Sequence, residues 1–268
     1  MTQEAATNDN DELLSVAHKL ADAARPVAMR YFRASEQNLE NKEPDAFDPV
    51  TAADRGIEQV MREILSAERP DDAILGEEFG RAEGTSGLTW VLDPIDGTRG
   101  FISGTPTWGV LIAVGPDSGP TIGVIDQPFI KERFWGCPDG AFWSYDGQIN
   151  PIMARACAAL DQATLFTTFP EVGTPEEGSA FRRVADRVLL TRYGTDCYAY
   201  GLLASGQVDL VIEAGLAPYD IQGPLAVVQA AGGIVTDWQG GPAHEGGRVI
   251  AAGDKRMHAA ALDLLNEV

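Results

Sequence analysis

Cysteine and histidine are scarce in this chain, with 3 of each among 268 residues. Cys137, Cys157 and Cys197 are odd in number and show no C-x-x-C spacing. That leaves neither a disulfide framework nor a cysteine zinc site, and it points to a reducing cytoplasm. His18, His244 and His258 stand in helical or surface contexts, so imidazole-bound zinc or iron is not expected. Positive charge is also short: 20 Lys and Arg against 40 Asp and Glu give a net charge of −20. Such a surface repels nucleic-acid backbones and anionic membranes, which excludes both as partners. No apolar run approaches the roughly 20 residues of a membrane span. The N-terminal segment lacks the basic and apolar regions of a signal peptide, and residues 1–10 read as a frayed, disordered acidic tail. Internal repeats, low-complexity tracts and flexible linkers are missing too.

What remains is a chain that can bury a full core, being 44% hydrophobic. Leu13, Ala17, Leu20, Ala21, Ala24, Ala28 and Tyr31 recur at helical spacing, with Pro26 expected to kink or break the helix. A second helix starts near Thr51, with Ile57, Val60, Met61, Ile64 and Leu65 on one face. Short strands are expected at 73–76, 110–114, 121–125, 133–136 and 141–144, the last four as an antiparallel sheet. Beyond residue 150, strands near 164–168, 189–193, 208–212, 233–236 and 249–252 alternate with helices near 178–187, 195–205, 220–231 and 255–266. The expectation is an α/β protein of two packed lobes, residues 11–148 and 149–268.

The most informative stretch is Trp90-Val-Leu-Asp-Pro-Ile-Asp-Gly-Thr98, an apolar strand running into Asp93 and Asp96. Two carboxylates this close repel unless a cation sits between them, and a hard divalent ion such as Mg²⁺ suits oxygen ligands. Such an ion also inverts the local charge that would otherwise repel a phosphate. Gly97 and Thr98 add N–H groups and a hydroxyl beside it. Other acids have plainer uses when taken singly. Glu77 and Glu78 could be solvated acids in a turn, Asp220 a helix N-cap, and Asp54 a first-turn acid favoured by the helix dipole.

Four segments in order, Asp48-Pro-Val-Thr-Ala-Ala-Asp54, Leu75-Gly-Glu-Glu78, Trp90 to Thr98, and Pro218-Tyr-Asp220 followed by Ala230-Ala-Gly-Gly233, resemble the inositol monophosphatase family. The resemblance covers nearly the whole chain beyond the acidic tail. It implies a sugar-phosphatase-type layered αβαβα sandwich and a site with two to three Mg²⁺. By the same resemblance, Glu77, Asp93 and the Ile95 carbonyl would hold the first ion. Asp93, Asp96 and Asp220 would hold the second, and Glu77 would help a third. Asp54 and Thr98 would pair to orient and deprotonate the attacking water, while Gly97 and Thr98 N–H groups take phosphate oxygens. A homodimer is implied as well. An Asp-x-Asp-x-Thr aspartyl-phosphate motif does not fit, because the acids here are three apart.

The choice of phosphate ester falls to the second half. Asp196 follows a Gly-Thr pair where inositol-directed members commonly have a small apolar residue, and Glu213 matches a substrate-contacting acid. Two carboxylates facing a neutral polyol would be desolvated with little compensation; facing an ammonium and an imidazolium they would be charge-matched. Together with Gly100 to Gly104, Ile125 to Pro128, Arg192 to Tyr200 and Ala252 to Lys255, this resembles the histidinol-phosphate phosphatase branch, acting in histidine synthesis. The alternative is an inositol-1-monophosphatase or a broad phosphatase of small alcohol phosphates. Thr195 and Asp196 could instead serve a helix start, and Tyr198 and Tyr200 read as helix packing. Arg99 could touch the phosphate or pair with a surface acid. Lys42 could approach the third ion or be a solvated loop lysine. Gly223-Pro224 could shift the helix turn that places Asp220.

Overall fold

Apolar residues alternate along the strands, and the alternation sorts them into separate cores. The computed structural model describes residues 3–34, 40–41 and 49–267; Lys42 and Asp48 lie outside them. Helix α1 (Gln3–Tyr31) and helix α2 (Ala52–Glu68) flank a two-stranded antiparallel pair, β1 (Glu40–Asn41) with β2 (Pro49–Val50). An eight-stranded sheet follows, made of β3 (Ala73–Gly76), β4 (Gly80–Ala82), β5 (Thr89–Asp96), β6 (Gly109–Gly115), β7 (Ile122–Gln127), β8 (Glu132–Cys137), β9 (Gly140–Tyr145) and β10 (Gln148–Ile152). The short helix α3 (Thr98–Ser103) leaves from the end of β5. The order across the sheet is β10-β9-β8-β7-β6-β5-β3-β4, antiparallel except for β3 beside β5.

The second half builds a five-stranded sheet from β11 (Thr164–Thr167), β12 (Leu190–Tyr193), β13 (Leu210–Leu216), β14 (Ile234–Asp237) and β15 (Gly247–Ala252), in the order β12-β11-β13-β15-β14. Its helices are α4 (Pro175–Ala185), α5 (Tyr198–Ala204), α6 (Pro218–Ala230) and α7 (Lys255–Leu265).

Side chains of period two then define the layers. Val110, Ile112 and Val124 face α1 and α2 in one core, while their neighbours Leu111 and Ile125 face α5 and α6 in another. Val211 and Ala251 reach that same middle core from the second sheet, and Leu210, Ile212, Ile250 and Ala252 pack outward against α4 and α7. The result is the expected α/β sandwich, with helices, sheet, helices, sheet and helices in turn. The middle core, shared by both sheets, joins the two lobes.

Two expectations need correction. Helix α1 takes in residues 3–10, where the sequence suggests a frayed tail. No proline or glycine interrupts it before Pro26, and Pro26 lies inside the helix without ending it. Strand β10 still belongs to the first sheet, so that sheet runs past the boundary expected at 148/149. Helix α6, expected near 220–231, runs through Gly223 and Pro224 without a break. A Cβ on Gly123 would lie 2.3 Å from the Gly223 carbonyl oxygen, so glycine lets α6 press directly on β7. That contact fixes the start of α6, and Asp220 with it, against the first sheet. Among the described residues no helix is long and apolar enough to cross a membrane.

Candidate active site

On a regular strand, residues three apart point to opposite faces, so Asp93 and Asp96 should diverge. The ladder prevents this. Asp93 lies opposite Leu111 and Asp96 opposite Gly109, so three steps on β5 answer two on β6. This bulge, with Pro94 inside it, turns both carboxylates to one side. The Ile95 N–H closes the turn by donating to Asp93 Oδ1 at 3.0 Å. Asp220 arrives from the first turn of α6, where its Oδ2 accepts the Ala217 N–H at 2.7 Å. Ligand oxygens of Asp93, Asp96 and Asp220 all lie within 4.8 Å of one another. Glu77, just past the end of β3, lines the same cavity, and its charge acts on Asp93. Glu78 turns the other way and lies 3.9 Å from Arg55.

Such a cluster is costly without a cation. Burial, then repulsion from Glu77, Asp96 and Asp220, pushes Asp93 well above the usual carboxylate range. Burial and the charges of Asp196 and Asp220 do the same to Asp96. Asp220 is raised to about 7, by burial first and then by Glu77 and Glu213. An all-oxygen donor set whose charges are unbalanced in this way fits a hard divalent cation.

Asp54 is buried and raised to about 6, chiefly by burial, with Glu77 adding repulsion. No direct hydrogen bond joins it to Thr98. Its Oδ2 accepts the Thr51 hydroxyl at 2.6 Å and the Thr51 N–H at 2.8 Å, in a capping box that starts α2. A partner three residues away on the same helix turn is closer than one on another element. The Thr98 hydroxyl donates instead to the Ile95 carbonyl at 3.1 Å. The other Asp54 oxygen, Oδ1, is buried without a hydrogen-bond partner among the described residues.

The cavity, of about 260 Å³, opens beside this cluster. Asp196 and Glu213 both line it. Asp196 adopts a left-handed backbone conformation (φ 46°), and its carboxyl group lies over Gly97 so closely that a Cβ there would be 2.7 Å from it. Thr107 donates to it at 3.2 Å, and the Arg99 charge partly offsets the rise that burial causes. The Arg99 guanidinium lies over the Phe169 ring at 4.8 Å, on the lining of the cavity. Glu213 is buried and tied by the Thr168 N–H and hydroxyl, and by the Tyr200 hydroxyl at 2.8 Å. Tyr200 therefore braces an acid rather than only packing; Tyr198 does likewise with Glu132 at 2.7 Å.

Several contributors escaped the sequence reading. The Cys197 N–H donates to Asp96 at 2.6 Å, Thr107 holds Asp196, and Thr168 and Tyr200 hold Glu213. Phe169 forms an exposed part of the cavity rim. Only the proximity of these residues to Asp196 in sequence could have flagged Cys197 and Tyr200; the rest carry no local signal.

A layered αβαβα sandwich with a buried carboxylate cluster at the end of a central strand is an arrangement that could hold a divalent cation beside a phosphate ester. Comparison with known proteins narrows this. The model of the inositol monophosphatase family matches residues 9–268. The chain is 41% identical to the bifunctional phosphatase IMPL2, chloroplastic, of Arabidopsis thaliana, over 98% of this chain and 77% of that protein. It is 35% identical to the histidinol-phosphatase of Mycobacterium tuberculosis, over 96% of this chain and 98% of that one. The solved structure of an inositol monophosphatase from Zymomonas mobilis superposes with a TM-score of 0.84 at 41% identity, covering 96% and 98% of the two chains. The chain belongs to the inositol monophosphatase family and is a phosphatase.

Proposed function

We propose that the chain is a Mg²⁺-dependent phosphomonoesterase that hydrolyses L-histidinol phosphate to L-histidinol and phosphate, in histidine synthesis. The observation that carries the substrate assignment is the pair of acids, Asp196 and Glu213, on the wall of one cavity with the carboxylate cluster. An ester whose alcohol part carries an ammonium and an imidazole would meet two carboxylates there; a neutral polyol would leave them uncompensated. The name of the Mycobacterium tuberculosis relative supports the same reading.

Glu77, Asp93 and the Ile95 carbonyl would hold a first Mg²⁺, and Asp93, Asp96 and Asp220 a second, with Glu77 near a third. The Ile95 carbonyl accepts one hydrogen bond, from Thr98, and keeps a lone pair to offer. Bound Mg²⁺ supplies a water of lowered pKa and neutralises phosphate charge. The protein's own groups do the rest. Gly97 and Thr98 N–H groups, at the start of α3, receive phosphate oxygens. Asp54, raised to about 6 and with Oδ1 unpartnered among the described residues, is suited to take a proton near neutral pH, with Thr98 orienting the water. The proposal includes a homodimer, supported by exposed Tyr145, Ile149 and Met153 along the β9–β10 edge, and a reducing cytoplasm, supported by three free, buried cysteines.

A second reading, an inositol-1-monophosphatase or a broad phosphatase of small alcohol phosphates, is favoured by two observations. Arg99 already offsets part of the Asp196 charge, and Glu213 already has three donors. A competition assay separates the two. With histidinol phosphate and inositol 1-phosphate in one vessel, the first reading expects histidinol phosphate to be consumed first by at least about tenfold. Equal consumption assigns the second.

A further inference from the structure

Glu58 lies on α2 one turn beyond Asp54, fully buried, and no role for it follows from the motifs above. Its carboxylate does not face the cavity. Oε2 accepts the Glu78 N–H at 2.7 Å and Oε1 the Phe79 N–H at 3.2 Å. Arg62, one turn further along α2, donates to Oε1 at 2.7 Å and also reaches the Gly80 carbonyl. One carboxylate thus takes two successive backbone N–H groups of the turn that follows Glu77. A second constraint comes from the strand before it. A Cβ on Gly76 would lie 2.0 Å from Glu58 Oε1, so the carboxylate occupies the space a side chain would need at the residue preceding Glu77. Glu77 itself is anchored on the other side, its N–H donating to Leu92 O at 3.2 Å. The chain is therefore gripped on both sides of Glu77: by β5 through Leu92, and by α2 through Glu58.

We propose that Glu58 is a positioning residue that aims Glu77 into the metal site by clamping the 78–79 backbone. The proposal rests on the reading of Glu77 as a metal ligand. A carboxylate accepting two N–H groups and a guanidinium is held far more rigidly than a loop acid, and groups that orient a ligand set a large part of metal affinity. The clamp also spans the two elements that carry Asp54 and Glu77, and so keeps the separation of those two acids constant.

The test uses Glu58→Gln, which keeps the shape but loses one acceptor, and Gly76→Ala, which leaves Glu58 chemistry intact and displaces its carboxylate. Mn²⁺ affinity is read by titration with electron paramagnetic resonance, and exchange of the Glu78 and Phe79 amides by mass spectrometry on metal-free protein. Both variants are expected to lose about tenfold or more in Mn²⁺ affinity, to exchange these amides faster, and to recover kcat as metal is raised. Unchanged affinity and amide protection, with only thermal stability reduced, would overturn the proposal. If Glu58→Gln does not fold, Glu58→Asp, which retracts the carboxylate but keeps its charge, is read by the same two measurements. Glu77→Gln is the control. If it leaves Mn²⁺ affinity unchanged, the ligand assignment of Glu77 fails; if it weakens binding while the Glu58 variants do not, only the clamp fails.

Discussion

Asp220→Asn isolates the tension stored in the carboxylate cluster. In the folded, metal-free protein Asp220 titrates near 7 because burial and the charges of Glu77 and Glu213 oppose its ionisation. An ordinary carboxyl, as in the unfolded chain, titrates near 3.8. An acid whose folded pKa is raised contributes stability at low pH and loses it as pH climbs from the unfolded value to the folded one. The gap of about 3 pK units at ~1.4 kcal/mol each sets the cost of ionised Asp220 at roughly 4 kcal/mol by pH 8. At pH 5 less than half of that cost has developed. Asparagine removes the charge and keeps an oxygen to accept the Ala217 N–H that now bonds Asp220 Oδ2. In chelator, the advantage of the variant over the parent should therefore grow by about 3 kcal/mol between pH 5 and pH 8. At 2–4 °C per kcal/mol for a chain of this size, that is roughly 6–12 °C in Tm. Thermal unfolding by circular dichroism, run at both pH values in EDTA, reads it directly. Adding saturating Mg²⁺ should reverse the order, since only the parent keeps the full ligand set. An advantage that does not change with pH, or a parent more stable than the variant at pH 8 in EDTA, would refute the reasoning.

Further outcomes follow from the same geometry. Asp93→Asn should reduce kcat by at least about 100-fold at saturating Mg²⁺, because Asp93 is shared between the two assigned ions; phosphate release measures it. Asp196→Ala should lower kcat/KM for histidinol phosphate by about tenfold or more and leave inositol 1-phosphate within a few-fold, as comparative kinetics would show. Tyr200→Phe removes one donor from Glu213, whose pKa burial already raises; KM for histidinol phosphate should rise more than kcat falls. The pH–rate profile of the metal-loaded parent should fall on the acid side, where Asp54 and the ligand carboxylates take up protons; a flat profile down to pH 5 contradicts the assignment of Asp54, whose carboxyl burial pushes above the usual range.

Much of this was legible in the sequence, and what was not has physical reasons. The amphipathic spacing of α2 and the apolar runs of β5 to β8 announced themselves because burial imposes a period. Strand β10 did not: it is an exposed edge strand with Pro151 inside it, and it needs no apolar alternation to pair with β9. The Asp-Pro-Ile-Asp spacing identified the chemistry but concealed its geometry. Two acids three apart share a face only because of a bulge against β6, and a bulge depends on the partner strand. The hydrogen bonds from Thr51 to Asp54 were not anticipated, although Thr51-x-x-Asp54 has the spacing of a capping box. Glu58 was missed altogether. Its spacing from Asp54 is ordinary for a helix, and its meaning appears only when β3 folds back to present the N–H groups of Glu78 and Phe79.

The central claim joins a carboxylate cluster that needs a divalent cation to a cavity that selects a cationic alcohol. Initial rates of phosphate release from histidinol phosphate, with Mg²⁺ titrated upward from full chelation, test both parts at once. The account predicts no turnover in chelator, a saturable rise with Mg²⁺, and a kcat/KM at least about tenfold above that for inositol 1-phosphate at the same Mg²⁺ concentration. Turnover that persists undiminished in chelator, or histidinol phosphate hydrolysed no faster than inositol 1-phosphate, would contradict it.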